Sequence, residues 1–433
     1  MDESSIRKKL IVIGGGFAGL NLIQSLKNAP IDIILIDKRN HHLFQPLLYQ
    51  VATATLAPGD ISVTFRELFA KQLHTTVIMG EVIQINKDNK KVVLENGDTF
   101  NYDYLAIAVG SKHSYFGHTE WEEFAPGIKT ISDALKIREH ILTTFEIAER
   151  LDSLSETHKY LTFVIVGGGP TGVEFAGTIA ELIKKTMHGN FRRIKTEKAR
   201  VFLIEAFDRI LPTFHPKLSE STKIDLEKMG VTVLTKHSVT EINKDGVRLG
   251  EIFIESKNII WAAGNTIPSV VKTLESKQDK QGRVIVEKDL SIPNHPEIFV
   301  LGDAAHLKNK KGVPLPGVAT VALQQGKYLG KLLKSEIQKS KIAKHRIKGF
   351  KYFDKGSLAT IGTGKAVCSI GKFNFSGLFA WLLWGVIHIA YLACFRNRIS
   401  VMLEWSIHLF TGTRSSRLIH STIDEKLPKR DDT

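Results

Sequence analysis

The residues best placed to do chemistry are two glycine-rich turns, each followed by an acidic residue at the end of a predicted strand. The first turn, Gly14-x-Gly16-x-x-Gly19, follows the apolar run KKLIVI and opens a helical pattern. The next apolar run, IDIILID, ends in Asp37, 18 residues after Gly19. In such a unit the glycines let a pyrophosphate approach the backbone at a helix N-terminus, and the acid bonds a ribose hydroxyl. The pattern therefore predicts a dinucleotide site.

The same pattern recurs at Gly167-x-Gly169-x-x-Gly172, whose first glycine lies 153 residues after that of the first turn. The strand ARVFLIE then ends in Glu205, 33 residues beyond Gly172. The excess over the usual spacing of about 20 residues fits an insertion, KKTMHGNFRRIKTEKA. An acid at this strand end disfavours a 2′-phosphate, so we predict NADH rather than NADPH here, although Arg209 nearby weakens that preference.

Three further predicted strands end in glycine-containing turns. YDYLAIAVGS ends near Gly110, KNIIWAAGN near Gly264, and HPEIFVLGDAAH delivers Gly302-Asp303. An aspartate at a strand end is most often a helix cap. The turns and strand ends together provide the candidate cofactor-binding residues: Gly14, Gly16, Phe17, Ala18, Gly19, Asp37, Lys38, Gly110, Gly302, Asp303, Gly167, Gly169, Pro170, Thr171, Gly172, Glu205 and Gly264.

The composition is that of a folded but basic protein. A chain of 433 residues, 43% hydrophobic and 24% charged, is ordinary for two or three globular domains. The net charge of +14 is concentrated between Lys327 and Thr433, where 19 lysines and arginines face 7 acidic residues. We predict no nucleic-acid binding, because no zinc-finger, RNP or heptad pattern accompanies this charge. No histidine cluster has metal-ligand spacing, so no metal is expected either.

The two cysteines, Cys368 and Cys394, are 26 residues apart, which excludes a C-x-x-C redox pair and makes a thiolate metal site unexpected. We expect both to be small apolar core residues. Three basic residues precede the first apolar run, as in a signal peptide. Because glycines break that run, we predict a strand and no export.

In these features the chain resembles the two-dinucleotide-binding flavoprotein reductases, and among them the type II NADH dehydrogenases, which reduce quinones without pumping protons. Lacking C-x-x-C, it differs from the dithiol reductases, and cysteines confined to the tail disfavour a sulfide:quinone oxidoreductase. The resemblance spans nearly the whole chain and rests on FQPLLYQVATATLAPGDI (44–61), VGGGPTGVEFAG (166–177), LGDAA (301–305), LPGVATVALQQGKYLG (315–330), FDKGSLATIG (353–362) and GLFAWLLWGVIHIAYLACFRNR (377–398).

The resemblance implies an α/β fold with two Rossmann-like dinucleotide-binding domains, the second inserted in the first, and a C-terminal helical membrane-binding module. The expected domains are an FAD-binding domain at 1–120 and 275–345, an NADH-binding domain at 155–270 and a membrane-anchoring region at 346–433. FAD would be the cofactor, with Asp303 at its ribityl-phosphate region, NADH the electron donor and quinone the acceptor. A homodimer is left open, without a separate signal in the sequence.

The resemblance also assigns catalytic candidates. Glu174 would lie near the flavin, between the nicotinamide and quinone sites, and would position the nicotinamide or relay a proton; otherwise it only complements a helix N-terminus. Gln324 would hydrogen-bond a quinone carbonyl, with Gln325 a weaker candidate; otherwise both are polar residues of a helix start. Thr320 stands where many family members have a glutamine, and no role is assigned to it.

The resemblance places the segment HHLFQPLLYQVA along the isoalloxazine ring. It makes flavin or quinone neighbours of three residues: Phe44, Gln45 and Pro46. The alternative is that its leucines and valine pack into the core. His41 and His42 are expected to be surface or strand residues and not catalysts.

The apolar segment FSGLFAWLLWGVIHIAYLACF (375–395) has 21 residues and no charged side chain. It would span a bilayer, for which about 20 residues suffice, form a core helix, or lie as a helix in the membrane surface. Positive charge at both ends, an amphipathic segment after it and the membrane-binding helical module that the resemblance implies favour the surface helix. Because NADH is a cytosolic metabolite and no signal peptide is predicted, we expect the body of the protein to face the cytoplasm. The amphipathic residues are Ile399, Met402, Leu403, Ile407 and Phe410, with Trp405 and Arg414 predicted at the lipid headgroups.

Two other functions fit the same sequence. One is an FAD-dependent NADH reductase of a soluble electron-carrier protein. The other is a membrane-associated, nucleotide-binding sensor or scaffold without turnover.

Overall fold

The computed structural model describes residues 7–338 and 349–420, which divide into two compact units. The first unit consists of Met1–Leu43, Val63–Lys112 and Asn265–Asp354, and the second of Phe44–Ser62, His113–Gly264 and Lys355–Thr433. The first glycine turn lies in the first unit and the second turn in the second. The three predicted domains remain a prediction, and their boundary between residues 345 and 346 lies outside the described residues.

The described residues form the following α-helices: α1 (Phe17–Ser25), α2 (Leu48–Ala52), α3 (Phe65–Phe69), α4 (Ile131–Arg150), α5 (Leu154–Tyr160), α6 (Pro170–Glu181), α7 (Pro216–Lys228), α8 (Ala319–Ile337), α9 (Leu378–Tyr391) and α10 (Phe395–Thr411). Their strands are β1 (Lys8–Ile13), β2 (Ile31–Asp37), β3 (His41–Leu43), β4 (Ser62–Thr64), β5 (Thr75–Met79), β6 (Val82–Asn86), β7 (Lys91–Leu94), β8 (Thr99–Asn101), β9 (Tyr104–Ile107), β10 (Lys112–His113), β11 (Thr162–Val166), β12 (Arg200–Glu205), β13 (Val231–Thr235), β14 (Glu241–Asn243), β15 (Gly246–Leu249), β16 (Ile252–Glu255), β17 (Asn258–Trp261), β18 (Asn265–Thr266), β19 (Val284–Ile285), β20 (Ser291–Ile292), β21 (His295–Val300), β22 (Ala305–His306), β23 (Ser357–Gly362), β24 (Lys365–Ile370) and β25 (Phe373–Gly377).

The first unit is built on a six-stranded sheet in the order β20-β21-β9-β1-β2-β5. Its strands run parallel except for the pair β20 and β21. The apolar run of β1 is buried from Leu10 to Ile13, as expected for a parallel strand covered on both faces. Helices α1 and α8 pack closely, because a Cβ on Gly326 of α8 would collide with the carbonyl oxygen of Ala18 in α1.

The second unit contains a parallel sheet in the order β13-β12-β11-β17, with α6 following β11. The predicted α/β fold class is confirmed. Each glycine turn directly follows a strand of its unit's sheet, β1 in the first unit and β11 in the second. The unit also contains two antiparallel three-stranded sheets, β14-β15-β16 and β23-β24-β25. The sequence analysis did not predict the second of these, which packs on α6 where a Cβ on Gly177 would collide with the carbonyl oxygen of Ile361.

The prediction of one helix over residues 375–395 is wrong in its extent. Phe375 to Gly377 pair with β24 as the end of β25, and the chain leaves helical geometry again at Leu392, between α9 and α10. Gly377 begins the helix with φ +92°, a conformation that favours glycine. Within residues 7–338 and 349–420, none of the helices combines the length and apolar character needed to cross a bilayer.

We expect Gly326→Ala to destabilise the protein even though alanine is the better helix former. The added methyl group must displace the backbone of α1, which should lower the free energy of unfolding by about 1–3 kcal/mol. Thermal melts check this, with Gly59→Ala as the control because its Cβ would enter open space. Equal melting temperatures for the two variants would contradict the close helix packing.

Candidate functional site

The first glycine turn has the geometry of a phosphate cradle. Gly14 has φ +97°, and a Cβ on Gly19 would collide with the carbonyl oxygen of Gly14, so both positions require glycine. A Cβ on Gly16 would meet no atom within 4 Å, which leaves open space in front of the turn. Gly16 caps α1, whose first residues are Phe17 and Ala18, so the positive end of the helix dipole faces this space.

The carboxylate of Asp37 is bound to the turn itself. Its Oδ2 accepts from the backbone N–H of Gly15 at 2.7 Å, and its Oδ1 accepts from that of Arg39 at 2.8 Å. Each oxygen keeps a second lone pair, so the carboxylate can still accept from ribose hydroxyls. Lys38 points elsewhere, its Nζ lying 3.6 Å from the carboxylate of Glu81.

His42 is a supporting residue that the sequence analysis did not identify. It is buried in β3, its Nδ1 lies 2.9 Å from the carbonyl oxygen of Gly15, and its ring packs edge-on against Phe17 at 5.4 Å. Burial lowers the pKa of His42, so the ring is neutral and Nδ1–H donates to that carbonyl. Its only sequence signal is its place five residues after Asp37.

The Gly302-Asp303 turn is assembled in the same unit. Asp303 Oδ2 accepts from Ser111 Oγ at 2.7 Å, and Gly302 N–H donates to Gln325 Oε1 at 2.6 Å. Gln325 is only 1% exposed and thus supports the turn. Gln324 is not part of this group, because its amide exchanges two 2.9 Å hydrogen bonds with the backbone of Phe353.

Two other residues singled out in the sequence, Thr320 and Gly110, also lie in the first unit. Thr320 shares a 2.9 Å hydrogen bond with the hydroxyl of Tyr352. Gly110 has φ +69° and follows the last strand residues of β9. Thr320 and Gln324 therefore bond to Tyr352 and Phe353, whereas Gln325 bonds to the Gly302 turn.

The second glycine turn repeats the geometry of the first in the second unit. Gly167 has φ +111°, a Cβ on Gly172 would collide with the carbonyl oxygen of Gly167, and a Cβ on Gly169 would meet open space. Pro170 and Thr171 are the exposed first residues of α6. Gly264 has φ +67° and follows β17.

Glu205 holds the second turn as Asp37 holds the first. Its Oε2 accepts from the N–H of Gly168 at 2.7 Å and its Oε1 from that of Phe207 at 2.9 Å. Arg209 directs its Nη2 to the carbonyl oxygen of Pro212 at 3.1 Å. The residues present thus fit two dinucleotides, one at each turn.

Glu174 is buried in α6, and its Oε1 accepts a long hydrogen bond of 3.4 Å from the N–H of Thr360 in β23. Burial raises the pKa of Glu174 to about 8, against the weak opposing effect of that bond. The carboxyl group is therefore mostly protonated at neutral pH. A buried acid with a pKa near the working pH can store a proton and release it.

The segment that follows β3 mostly supports the packing alternative. Leu47, Leu48 and Val51 are buried, and Phe44 is buried edge-on against His388 at 6.1 Å. Gln45 is exposed, with its amide 3.5 Å from the carbonyl oxygen of Lys129, and Pro46 is half-buried.

The prediction that Arg414 lies at lipid headgroups is wrong. Arg414 is 3% exposed and donates to the carbonyl oxygens of Thr53 at 2.6 Å and Thr178 at 3.1 Å. Burial lowers its pKa to about 10, partly offset by the nearby Glu181, so the guanidinium stays charged. Sequence alone does not distinguish this buried cation from a surface one. Trp405 is half-buried, and its Nε1 donates to Gln50 Oε1 at 2.7 Å.

We expect Glu174→Gln to change how stability depends on pH. The pKa of Glu174 is higher in the folded chain than the ordinary 4.5, so wild type loses stability as pH rises from about 4.5 through about 8. Glutamine does not ionise. The difference in unfolding free energy should shift in favour of the variant by roughly 2–3 kcal/mol between pH 5 and pH 8. Thermal melts across that range measure it, and a constant difference would contradict a buried, protonated Glu174.

Comparisons with known proteins agree with this geometry. Residues 8–326 match the pyridine nucleotide-disulphide oxidoreductase family, and residues 355–414 match the NDH2 C-terminal domain. The type II NADH:quinone oxidoreductase Ndh of Mycobacterium tuberculosis is 42% identical, over 95% of this chain and 90% of that protein. A type II NADH:quinone oxidoreductase of Staphylococcus haemolyticus is 30% identical, over 83% of this chain and 89% of that protein.

A solved structure has the same fold. NDH2 from Plasmodium falciparum in complex with NADH superposes with a TM-score of 0.86 at 23% identity, covering 96% of this chain and all of that one. The resemblance stated from the sequence is confirmed, and the chain belongs to the type II NADH:quinone oxidoreductase family.

Proposed function

We propose that this protein transfers electrons from NADH to a membrane quinone by way of FAD, without pumping protons. The observation that carries the proposal is the pair of glycine turns, each with an acid bonded to its central amide. The first turn holds FAD, with Asp37 at the ribose and Asp303 toward the ribityl-phosphate region. The second turn binds NADH, with Glu205 at its ribose.

FAD supplies the redox chemistry, which is hydride acceptance from NADH and delivery of two electrons to the quinone. The chain's own residues orient the nucleotides and manage protons. Quinone reduction consumes two protons, and Glu174, protonated at neutral pH because it is buried, supplies one of them. Gln325 fixes the backbone of Gly302, which keeps Asp303 oriented toward the cofactor.

A quinone is favoured over a soluble electron carrier by the apolar surface of the C-terminal region. Among the described residues, 12 of the 24 exposed large apolar side chains lie on or beside α9 and α10, a concentration that is typical of a membrane-contacting surface. The exposed residues are Phe373, Leu378, Phe379, Leu382, Val386, Phe395, Ile399, Met402, Leu403, Ile407, Leu409 and Phe410. This face docks peripherally on the cytoplasmic side of the membrane, where NADH is available and quinone is dissolved.

Stopped-flow spectroscopy of the purified protein tests the reaction. NADH should bleach the flavin absorbance and a quinone should restore it. Asp37→Asn should lower the FAD content, because the charged acceptor at the ribose is lost. Glu205→Gln should leave FAD content unchanged and raise the KM for NADH about tenfold, the loss expected for one charge-assisted hydrogen bond.

A flavin that NADH bleaches but quinone does not restore would show that the acceptor is wrong. Loss of FAD in Glu205→Gln with normal FAD in Asp37→Asn would show that the two nucleotide sites are exchanged. Bound flavin also separates an enzyme from an empty nucleotide-binding scaffold.

The double variant Leu382→Asp with Leu403→Asp tests the membrane face. Each leucine contributes about 1.5–3 kcal/mol when its exposed side chain is buried, so partition onto phospholipid vesicles should fall roughly 100-fold. Vesicle flotation measures this, and reduction of a water-soluble acceptor should be unaffected. Leu73→Asp is the control, because Leu73 is 90% exposed but lies in the first unit. Equal flotation of both variants would mean that α9 and α10 do not contact lipid.

A further inference from the structure

A partly open cavity of about 50 Å³ is lined by residues of the second unit. Elements α2, α6, β23, α9 and α10 contribute to its wall, together with Arg414. At about 10–15 Å³ for each buried water, it has room for about three to five water molecules. Both polar side chains and aromatic rings line it, and the residues used below are Tyr49, Gln50, Thr55, Glu181, Trp384, Trp405, His408 and Arg414.

Among the described residues, three buried polar atoms in the cavity lining lack a hydrogen-bond partner that water would provide. Thr55 Oγ1, Trp384 Nε1 and Arg414 Nε are buried without a hydrogen-bond partner among the residues that the structure describes. A donor left unpaired in this way costs about 1–3 kcal/mol, whereas convergent polar groups around sufficient space bind ordered water. A hydrated cavity satisfies the requirement of all three atoms.

The direction of the Tyr49 hydroxyl is fixed by its neighbours. Trp405 Nε1 can only donate, so the partner 2.7 Å away is the carbonyl oxygen of the Gln50 side chain. The amide nitrogen of Gln50 must then donate to the Tyr49 oxygen, 3.1 Å away. Since the Tyr49 oxygen is the acceptor in that bond, its own hydrogen remains available to another acceptor.

The charges of both acids of α6 act on Tyr49, and Thr360, whose N–H donates to the Glu174 carboxyl group at 3.4 Å, lines the same cavity as Tyr49. Burial raises the pKa of Tyr49 well above its ordinary value, and the charge of Glu174, then that of Glu181, raises it further. Glu181 lines the cavity, accepts from the N–H of Thr363 at 2.8 Å, and pairs at 3.3 Å with the exposed Lys185. A polar connection thus leads from the surface at Lys185 to the cavity and on to Tyr49.

We propose that water in this cavity and the Tyr49 hydroxyl return protons to Glu174 after Glu174 has given its proton to the quinone. The proposal rests on the proposed role of Glu174. In the step, one cavity water gives a proton to the Glu174 carboxylate and takes one from the Tyr49 hydroxyl, while a second cavity water donates a proton to the Tyr49 oxygen. A proton from solvent replaces the one that the second water lost, so no electron moves and no charge is left on Tyr49.

The other ionisable groups at the cavity fit this role. Burial lowers the pKa of His408, whose Nδ1 donates to the carbonyl oxygen of Thr413 at 3.0 Å, so Nε2 is left as an acceptor for water. The guanidinium of Arg414 is already protonated and cannot accept another proton. Besides Tyr49, the ionisable side chains that line the cavity are Glu181 of α6, His408 of α10 and Arg414.

The test compares Tyr49→Phe with wild type in the two half-reactions, by stopped flow at pH 6–9 in H₂O and D₂O. Flavin reduction by NADH should stay within about twofold, since hydride transfer needs no proton from this route. Flavin reoxidation by quinone should slow at least about tenfold, a part of the 10²–10⁴-fold that positioned proton transfer contributes, and should slow further in D₂O. Tyr115→Phe is the matched control, a buried tyrosine of the same unit whose hydroxyl donates to the carbonyl oxygen of Ala125 at 2.9 Å.

Reoxidation at the wild-type rate in Tyr49→Phe, with slow reoxidation in Glu174→Gln, would overturn the cavity route and leave the proposed function intact. Wild-type flavin that quinone fails to reoxidise would overturn both. Infrared spectroscopy of the wild type provides a measurement that needs no folded variant at Tyr49. The carboxylic C=O band that disappears in Glu174→Gln should shift within seconds of transfer to D₂O, and a band that stays unshifted for hours would contradict water access to Glu174.

Discussion

The arrangement of both nucleotide sites depends on one interaction, an acidic side chain at the end of a second strand bonded to the central amide of a glycine turn. Asp37 and Glu205 each accept from that amide at 2.7 Å. The bond fixes the turn before any nucleotide arrives, so little conformational entropy remains to be lost on binding. It also holds the acid with one set of lone pairs facing outward, as ribose recognition requires. Glycine is needed at Gly14 and Gly19 of the first turn and at Gly167 and Gly172 of the second, so each turn requires these glycines as well as its acid.

The C-terminal region is attached to the second unit by buried polar contacts as well as apolar packing. Arg414 donates to backbone carbonyls of α2's end and of α6, and Asn397 donates to the carbonyl oxygen of Ser62 at 3.0 Å. A buried guanidinium is costly to desolvate, so it is retained only where several acceptors surround it. Such contacts fix one arrangement of α9 and α10. Their outer faces remain apolar because the inner faces, and not the outer ones, carry the bonds that hold the helices in place.

Much of the fold and part of the site could be predicted from the sequence. The predictable features are local in the chain, whereas the others depend on contacts between distant residues. Gly14, Gly167 and the two acids are local features, because a turn and a strand end specify their own geometry within about 40 residues. His42, Gln325 and Arg414 act through contacts with residues distant in the chain, and no local pattern encodes those. The sheet β23-β24-β25 was not predicted, because its last residues, Phe375 to Gly377, belong to the apolar segment 375–395, whose composition predicts a helix. The role of Gln324 at the quinone remains a prediction from the resemblance, and its amide is bonded at both ends to the backbone of Phe353.

Two acids of one helix show how environment separates the functions of identical side chains. Glu174 and Glu181 are seven residues apart, which places them on the same face of α6 two turns apart. Glu181 has an amide, a hydroxyl and an ammonium group as partners, whereas Glu174 has one long bond. Removing partners from a buried carboxyl favours its protonated form, and supplying them favours the carboxylate. The helix therefore presents a proton store at Glu174 and a well-bonded acid at Glu181, and β23 together with Thr363, the residue that follows it, supplies the bonds that distinguish the two.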